Sequence, residues 1–117
     1  MISELNLAPT NEIIDFLQNN DSKQFRDKLL TTDELRYLYC RDIKDKQEIW
    51  EQITDPKCAY WYCRWVKDRP EIRKYITYSE WAYWYCDDVK DKPEVRKYIT
   101  DSEWLQKYND WKKGNRR

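Results

Sequence analysis

The chain has 117 residues, of which 38% are charged and 16% aromatic, and its 22 basic and 22 acidic side chains give no net charge. This balance argues against a broad electrostatic attraction to nucleic acid or to an anionic membrane. Seven tryptophans and ten tyrosines supply more buriable surface than a disordered chain carries. No apolar run approaches the length of a membrane helix and no signal peptide opens the chain, so we expect a cytoplasmic protein.

Residues 1–30 predict a helical N-terminal cap. Two groups of apolar residues have helical spacing: Ile13, Ile14 and Leu17, then Phe25, Leu29 and Leu30. The second helix is expected to begin after Asp21 or Ser22, which are both good N-cap residues. This segment fits the period of the following sequence poorly, as is typical of the terminal unit of a repeat array.

From residue 31 the sequence repeats every 23 residues, so that "AYWYC" begins at Ala59 and again at Ala82. There are three complete copies (31–53, 54–76 and 77–99), a partial copy (100–111) and a basic tail (112–117). We call residues that stand 23 apart, at the same position of each copy, a column. One column contains only tyrosine: Tyr39, Tyr62, Tyr85 and Tyr108. Such self-similarity predicts a stack of like structural units.

Each copy predicts a long helix followed by a short one. The long helix is expected to be capped by the threonine column of T-x-x-E motifs, and the short helix by the aspartate column of D-x-x-E motifs. These columns are Thr31, Thr54, Thr77 and Thr100, and Asp45, Asp68 and Asp91. In the second copy, Lys57 takes the position of the glutamate. Since no stretch alternates with the period of a strand, the predicted fold is all-α.

The apolar residues of one copy cannot be buried within that copy. In the third copy, one face of the long helix carries Ala82, Tyr85, Cys86 and Val89, and the short helix carries Val95, Tyr98 and Ile99. Neighbouring copies must therefore cover these stripes. The sequence predicts an α-solenoid of alternating long and short helices, and the resemblance described next implies that it is right-handed.

Two resemblances agree with this prediction. The alternation of a long helix with a short one that opens "PEVRKYI" (Pro93–Ile99) is similar to leucine-rich repeat variants, whose helices stack into a right-handed superhelix. The segment "EWAYWYCDDVKDKPE" (Glu80–Glu94) resembles short tandem repeats of uncharacterised phage and giant-virus proteins. The residues that carry this second resemblance are Trp81, Ala82, Tyr83, Tyr85, Val89, Pro93 and Glu94, with Cys86 where alanine is usual. The resemblance covers residues 31–111 and implies the fold and a viral origin, but no catalytic residue.

The cysteines are interpreted as small buried hydrophobes. Cys40, Cys63 and Cys86 form one column, so stacking separates them by roughly the 8–10 Å between packed helices, more than a disulfide tolerates. Zinc would need a close pair such as C-x-x-C, which is missing from the sequence. We therefore expect no metal and no cofactor.

Catalysis is not expected either. The sequence has no histidine, no glycine-rich phosphate loop, and no serine or cysteine beside a plausible base. The repeated acidic residues are assigned to helix caps, which leaves only the adjacent pair Asp87 and Asp88 for acid–base chemistry. We expect a protein that is not an enzyme.

The tryptophans of the long helices are the main functional candidates. Trp84 lies about 160° from the centre of the buried stripe at 100° per residue. This position, on the face of the helix opposite the buried stripe, indicates one of two roles. The tryptophan either packs between copies or belongs to a surface that binds another protein. The candidate partner-binding residues are Leu38, Trp61, Trp65, Trp84 and Trp111. The resemblance to viral repeats leads to a more specific hypothesis. The protein would be an inhibitor or adaptor that acts on a host protein in the host cytosol.

A basic face is the alternative candidate site. It consists of Arg73, Lys74, Arg96 and Lys97, near the ends of the short helices. These side chains either complement helix dipoles and acidic neighbours or, with stacked aromatic rings, bind nucleic acid. A third hypothesis is self-association through the open ends of the stack.

Overall fold

The computed structural model describes residues 8–114, and within this range it contains helices and no strand, which confirms the all-α prediction. The helices are α1 (Thr10–Asn19), α2 (Lys23–Leu29), α3 (Asp33–Asp42), α4 (Gln47–Trp50), α5 (Pro56–Trp65), α6 (Pro70–Arg73), α7 (Ser79–Asp88), α8 (Pro93–Arg96) and α9 (Ser102–Lys112). They belong to two compact units, Met1–Ile53 and Thr54–Arg117, here called the N-terminal and C-terminal units. The boundary falls where the second copy of the repeat begins.

In the N-terminal unit, α1 packs against α2 and α3, and α3 packs against α4. The predicted apolar residues face this core, since Ile13, Ile14, Leu17, Leu29 and Leu30 are all buried. The hydroxyl of Ser22 accepts a hydrogen bond from the Phe25 backbone N–H, so Ser22 rather than Asp21 caps α2. Both predicted helices are thereby confirmed. Residues 1–7 of the predicted cap lie outside the described residues.

Long and short helices follow one another from residue 33 onward. The helices α3, α5 and α7 have ten residues each and α9 has eleven, whereas α4, α6 and α8 have only four. The short helices are thus one turn long. Each one continues into a tighter turn, in which, for example, Ile76 N–H donates to Arg73 C=O at 3.0 Å. The β-branched isoleucine and threonine columns that follow favour the extended backbone that leads into the next long helix.

The predicted threonine caps are wrong by one residue. The long helices begin one position later, with side-chain caps from Thr32 on α3, Asp55 on α5 and Asp101 on α9. Aspartate at this position is a stronger N-cap than threonine, which explains the choice in the second and fourth copies. The third copy has Tyr78 at this position, which caps nothing.

The predicted aspartate caps of the short helices are also wrong. The N-cap residues are Lys46, Arg69 and Lys92, and none of them forms a side-chain cap. The carboxylate of Asp68 instead accepts hydrogen bonds from the Tyr85 hydroxyl and the Arg73 guanidinium. A charged donor and a buried hydroxyl are better partners for a carboxylate than a backbone N–H alone, so the aspartates connect helices and do not cap them.

In the C-terminal unit, α7 packs against α5, α8 and α9, and α5 also packs against α6. Most of the predicted stripe is buried, including Ala82, Tyr85 and Cys86, but Val89 is only half-buried. The buried face of the long helices is wider than predicted, because Tyr83 is also buried. This extra width allows α7 to contact the long helices on either side of it, α5 and α9.

The cysteine prediction is confirmed. Cys40, Cys58, Cys63 and Cys86 are all buried thiols. Burial, which disfavours the thiolate, raises the pKa of both Cys63 and Cys86 to about 12. These side chains therefore serve as small hydrophobic core residues.

Candidate functional site

The C-terminal unit carries a groove of about 400 Å³, which we call the aromatic groove. Its lining consists of Tyr60, Trp61 and Arg64 from α5 and Trp81, Trp84 and Asp88 from α7. On α7 these residues stand at i, i+3 and i+7, and on α5 they fall within one helical turn, so each helix presents one face to the groove. Four aromatic rings and one pair of opposite charges thus converge on one concave surface.

Aromatic contacts between successive helices hold the walls of the groove in place. The Tyr60 ring packs against the Trp81 ring with centroids 5.7 Å apart. The same contact recurs one copy later, between Tyr83 and Trp104, at 5.5 Å. Aromatic pairs at these separations stabilise a protein by about 0.5–1.5 kcal/mol beyond their buried area. The wall is therefore built from the packing of the repeat itself.

Trp84 has two roles in this arrangement. It lines the aromatic groove, and its ring also lies 6.1 Å from that of Trp104 and 5.1 Å from that of Tyr83, edge to face in both cases. Trp61 is half-buried, and the Lys57 ammonium lies 5.0 Å from its ring centroid. The structure thus brings together two of the five predicted partner-binding residues, Trp61 and Trp84.

A closed network of polar groups forms one end of the groove. The Tyr60 hydroxyl donates to Asp88 Oδ2 at 2.7 Å, and Arg64 Nη1 donates both to the Tyr60 oxygen at 2.8 Å and to Asp88 Oδ2 at 3.1 Å. Burial, reinforced by the bond to Asp88, raises the pKa of Tyr60 to about 12. The pKa of Arg64 is raised by its bond to Tyr60. At neutral pH the groove therefore contains one balanced ion pair and a neutral phenol.

The other three predicted residues lie outside this lining. Trp65 is 57% exposed on α5, with the Arg64 guanidinium 4.5 Å from its ring centroid. Trp111, on α9, packs edge-on against Tyr108 at 5.7 Å. Leu38 belongs to α3 of the N-terminal unit, where it is half-buried. Trp65 and Trp111 are therefore not part of the lining that Trp61 and Trp84 share.

Four residues of the groove were not predicted from the sequence: Tyr60, Arg64, Trp81 and Asp88. The i, i+3 spacing of Trp81 and Trp84 was a visible signal that both rings share a face. Arg64 and Asp88 stand 24 residues apart, one more than the period, so no single column contains both of them. Their pairing depends on how α5 and α7 pack, which the pattern of one helix does not reveal.

The residues of the alternative basic face are engaged within the protein. Arg73 is 9% exposed and forms ion pairs with Asp68 at 3.1 Å and Glu94 at 3.2 Å. Arg96 pairs with Asp91 at 2.9 Å. The ammonium groups of Lys74 and Lys97 lie over tyrosine rings, 5.3 and 5.2 Å from the centroids of Tyr75 and Tyr98. These contacts favour the structural interpretation of the basic columns.

Part of the basic tail is also structured. Lys112 is the last residue of α9, and its ammonium lies 3.0 Å from Asp91 Oδ2. Lys112, the first residue of the predicted tail, is thus part of α9. Residues 115–117 lie outside the described residues.

In the part of the chain that the structure describes, no group of three or more histidine, cysteine, aspartate or glutamate side chains could hold a metal ion. No helix between residues 8 and 114 has the length and hydropathy needed to cross a bilayer. Comparison of the chain with protein-family models, with curated proteins and with solved structures finds no match. The geometry of the site is therefore the basis for the function proposed below.

Proposed function

We propose that the chain is a non-enzymatic repeat scaffold that binds another protein through the aromatic groove. The observation that carries this proposal is the convergence of Tyr60, Trp61, Trp81 and Trp84 on one groove of about 400 Å³. Tryptophan and tyrosine in concave, partly desolvated positions are the residues that most often dominate the energy of protein interfaces. The groove is also within the usual size range of binding pockets.

The polar groups of the groove support binding rather than chemistry. Asp88, Tyr60 and Arg64 bond to one another at 2.7–3.1 Å. A general base or nucleophile must instead direct its reactive atom at the substrate. A balanced pair of this kind fixes the shape of the groove and adds little net charge.

The scaffold we propose is a right-handed α-solenoid of long and short helices, closed at its beginning by the helices of residues 8–30. Two contacts that recur one copy apart support stacking of like units. The first is the bond of a tyrosine to the aspartate of the preceding copy, as between Tyr85 and Asp68. The second is the stack of a tyrosine on the tryptophan of the following copy, as between Tyr83 and Trp104.

A viral inhibitor or adaptor that occupies a protein of the host is the specific form of this function. It depends on the resemblance of Glu80–Glu94 to the tandem repeats of phage and giant-virus proteins. The aromatic groove is the surface through which such a protein would bind its target.

The experiment that tests the proposed function compares three versions of the chain as immobilised bait in nuclease-treated cell lysate. Trp61→Ala removes a groove residue, and Tyr78→Ala removes an aromatic ring that is 65% exposed and is not part of the lining. We expect the wild type and Tyr78→Ala to retain the same partner. Trp61→Ala should weaken the purified complex by about 30-fold, which corresponds to the roughly 2 kcal/mol of a hot-spot residue.

Salt dependence separates this function from nucleic-acid binding. A complex anchored by aromatic side chains should change little in affinity between 50 and 200 mM salt, whereas one with 6–10 phosphate contacts loses about 10³–10⁵ in affinity over that range. Equal capture by the wild type and Trp61→Ala would contradict the proposal. A partner that is captured from untreated lysate but not from nuclease-treated lysate, together with a steep salt dependence, would favour the nucleic-acid alternative.

A further inference from the structure

Lysine and arginine side chains of the chain itself lie over most of the tryptophan rings that reach the surface. Of the seven tryptophans, only Trp50 is buried. For four of the others, a lysine or arginine charge lies 4.5–5.6 Å from the ring centroid: Trp61, Trp65, Trp104 and Trp111. These distances are within the roughly 6 Å over which the negative face of an indole attracts a cation. A cation is thus the usual neighbour of a surface tryptophan in this protein.

Two tryptophans depart from this pattern, and both line the aromatic groove. Trp81 and Trp84 are half-buried on α7, and no lysine or arginine of residues 8–114 lies over either ring. Their ring contacts are with other aromatic side chains: Tyr60, Tyr83 and Trp104. Trp61, the third indole of the lining, already has the Lys57 ammonium 5.0 Å from its centroid. The groove therefore offers a cation from another molecule the rings of Trp81 and Trp84.

A carboxylate stands beside these two rings. Asp88 follows Trp84 by four residues on α7, so their side chains are neighbours on one face of the helix. Asp88 Oδ2 accepts hydrogen bonds from the Tyr60 hydroxyl and from Arg64 Nη1. Asp88 Oδ1 accepts none from the part of the chain that the structure describes. Because each carboxylate oxygen has acceptor lone pairs of its own, Oδ1 can receive the N–H groups of a ligand.

The charges at this end of the groove also favour a cation. The hydrogen bond to Tyr60, together with the negative charges of Asp88 and Asp87, raises the pKa of Arg64. Two carboxylates therefore act on one guanidinium. The other cation of α5, Lys57, stands seven residues earlier, which is about 10.5 Å along the helix axis and about one Debye length at 0.1 M salt. A positively charged ligand is complementary to the carboxylate that Arg64 leaves unneutralised.

Among cations, the guanidinium of arginine matches this lining best. It is planar and weakly hydrated, it stacks on aromatic faces, and its five N–H groups can donate to a carboxylate while the plane lies on a ring. The chain itself contains such a contact, since the Arg64 guanidinium lies 4.5 Å from the Trp65 centroid, whereas the three lysines lie 5.0–5.6 Å from theirs. A quaternary ammonium has no N–H group to donate to Asp88.

We propose that the aromatic groove binds an arginine side chain of the partner protein, with the guanidinium over Trp81 and Trp84 and hydrogen-bonded to Asp88 Oδ1. This inference depends on the proposed function, since it specifies the side chain of the partner that the same groove takes. Trp61 adds apolar surface for the methylene groups of the arginine. Arg64 competes with the bound arginine for the carboxylate of Asp88.

The experiment titrates the full chain with N-acetyl-arginine amide and records the seven indole N–H signals by NMR. The control ligand is N-acetyl-citrulline amide, which has nearly the same shape as the arginine compound but no charge. We expect saturable shifts, largest for Trp81 and Trp84, with the arginine compound. The citrulline compound should bind about tenfold more weakly, because it lacks both the attraction to the indole face and the charged hydrogen bond.

Three variants test the part that charge plays. Asp88→Asn should weaken binding of the arginine compound by about fivefold, because the hydrogen bond loses its charged acceptor. Arg64→Gln should strengthen it by about threefold, because a competing cation is removed from the same carboxylate. Tyr78→Ala, which removes an exposed ring outside the lining, should leave the affinity unchanged. Circular dichroism verifies that each variant is folded, and the opposite signs of the first two effects distinguish cation binding from a general loss of groove shape.

Equal binding of the arginine and citrulline compounds would overturn the inference. So would an Arg64→Gln variant that binds the arginine compound more weakly than the wild type, or shifts centred on Trp104 and Trp111. Tetramethylammonium that binds as tightly as the arginine compound would assign the groove to a quaternary ammonium instead. If the arginine compound does not bind while Trp61→Ala still loses the captured partner, the arginine inference is wrong and the protein-binding function stands. If Trp61→Ala retains the captured partner, the proposed function itself is wrong.

Discussion

The hydroxyl of Tyr85 donates to both carboxylate oxygens of Asp68, at 2.9 and 2.8 Å, across 17 residues of sequence. The same contact recurs twice, between Tyr108 and Asp91 and between Tyr39 and Asp21. In each case an arginine five residues after the aspartate donates to the same carboxylate: Arg73, Arg96 and Arg26. Three tyrosines of this column, Tyr39, Tyr85 and Tyr108, therefore donate a repeated bond that joins a long helix to the aspartate two residues before the preceding helix.

Tyr85→Phe should destabilise the protein by about 2 kcal/mol, because a hydrogen bond to a charged group contributes about 1.5–3 kcal/mol and Asp68 loses one of its partners. Urea unfolding, followed by circular dichroism, measures the change. The matched control is Tyr78→Phe, which removes the hydroxyl of an exposed side chain and should change the free energy of unfolding by less than about 0.5 kcal/mol. Equal effects of the two substitutions would show that the bond to Asp68 contributes nothing.

The repeated bond also explains why residues 1–30 did not fit the period. Tyr39 stands 18 residues after Asp21, whereas Tyr85 and Tyr108 stand 17 residues after their aspartates. One additional residue shifts the register, so that a comparison at a spacing of 23 does not align Asp21 with Asp45. The sequence predicted the two helices of this segment correctly from apolar spacing. It did not reveal that the segment contains the aspartate and the arginine, Asp21 and Arg26, that meet the tyrosine of the first copy, Tyr39.

Acidification should remove part of the stability that Asp91 provides. Burial opposes the charge of this carboxylate, but hydrogen bonds from Arg96, Lys112 and Tyr108 outweigh it and hold the pKa of Asp91 below its ordinary value of 3.8. A carboxyl with a lowered pKa in the folded state stabilises the protein above the unfolded pKa, and this contribution disappears as the pH falls through the folded pKa. The free energy of unfolding of the wild type should therefore decrease below about pH 4.

The comparison with Asp91→Asn tests the origin of this pH dependence. The variant should be less stable than the wild type at pH 7, and the difference should shrink as the pH falls, because the wild-type carboxyl becomes neutral as well. Urea unfolding at several pH values between 2.5 and 7 measures both curves. A difference that stays constant over this range would mean that the charge of Asp91 does not matter.

The buried thiols should be unreactive while the protein is folded. With a pKa of about 12, only about one Cys63 or Cys86 side chain in ten thousand is a thiolate at pH 8. We expect a thiol reagent to modify them only in denaturant, and Cys63→Ala and Cys86→Ala to cost about 1 kcal/mol each, less than the usual large-to-small core penalty. Chelators and mild reductants should leave the Tm unchanged, and a decrease of many degrees with either reagent would contradict the assignment of the cysteines to the core.

How far the sequence predicts the site depends on the contacts that each residue makes. The outward phase of Trp61 and Trp84 could be calculated from the helix period alone, and both residues lie in the aromatic groove. The helix period could not show that Trp65 lies outside the groove. This residue stands one turn further along the same helix and yet is not part of the lining. Which residues of a helix share a groove is decided by the side chains of the neighbouring helix. The helical periodicity of a single long helix contains no information on how it packs against the neighbouring helix.

Removal of α9 should cause the C-terminal unit to self-associate. The Tyr83 ring is 1% exposed and packs against Trp104 of α9, so a chain that ends at Thr100 exposes this aromatic surface of α7. The copy that contains α9 has a polar Gln106 in the column of Tyr60 and Tyr83, and α9 therefore offers no matching ring to a further copy. Sedimentation velocity at several concentrations, with circular dichroism to verify helicity, should find the full chain monomeric and the shortened chain in larger species. Leu105→Lys is the control, because it changes an exposed residue of α9 and preserves the contact with α7. A folded shortened chain that stays monomeric at every concentration would show that α9 does not shield an aromatic surface of α7 from association.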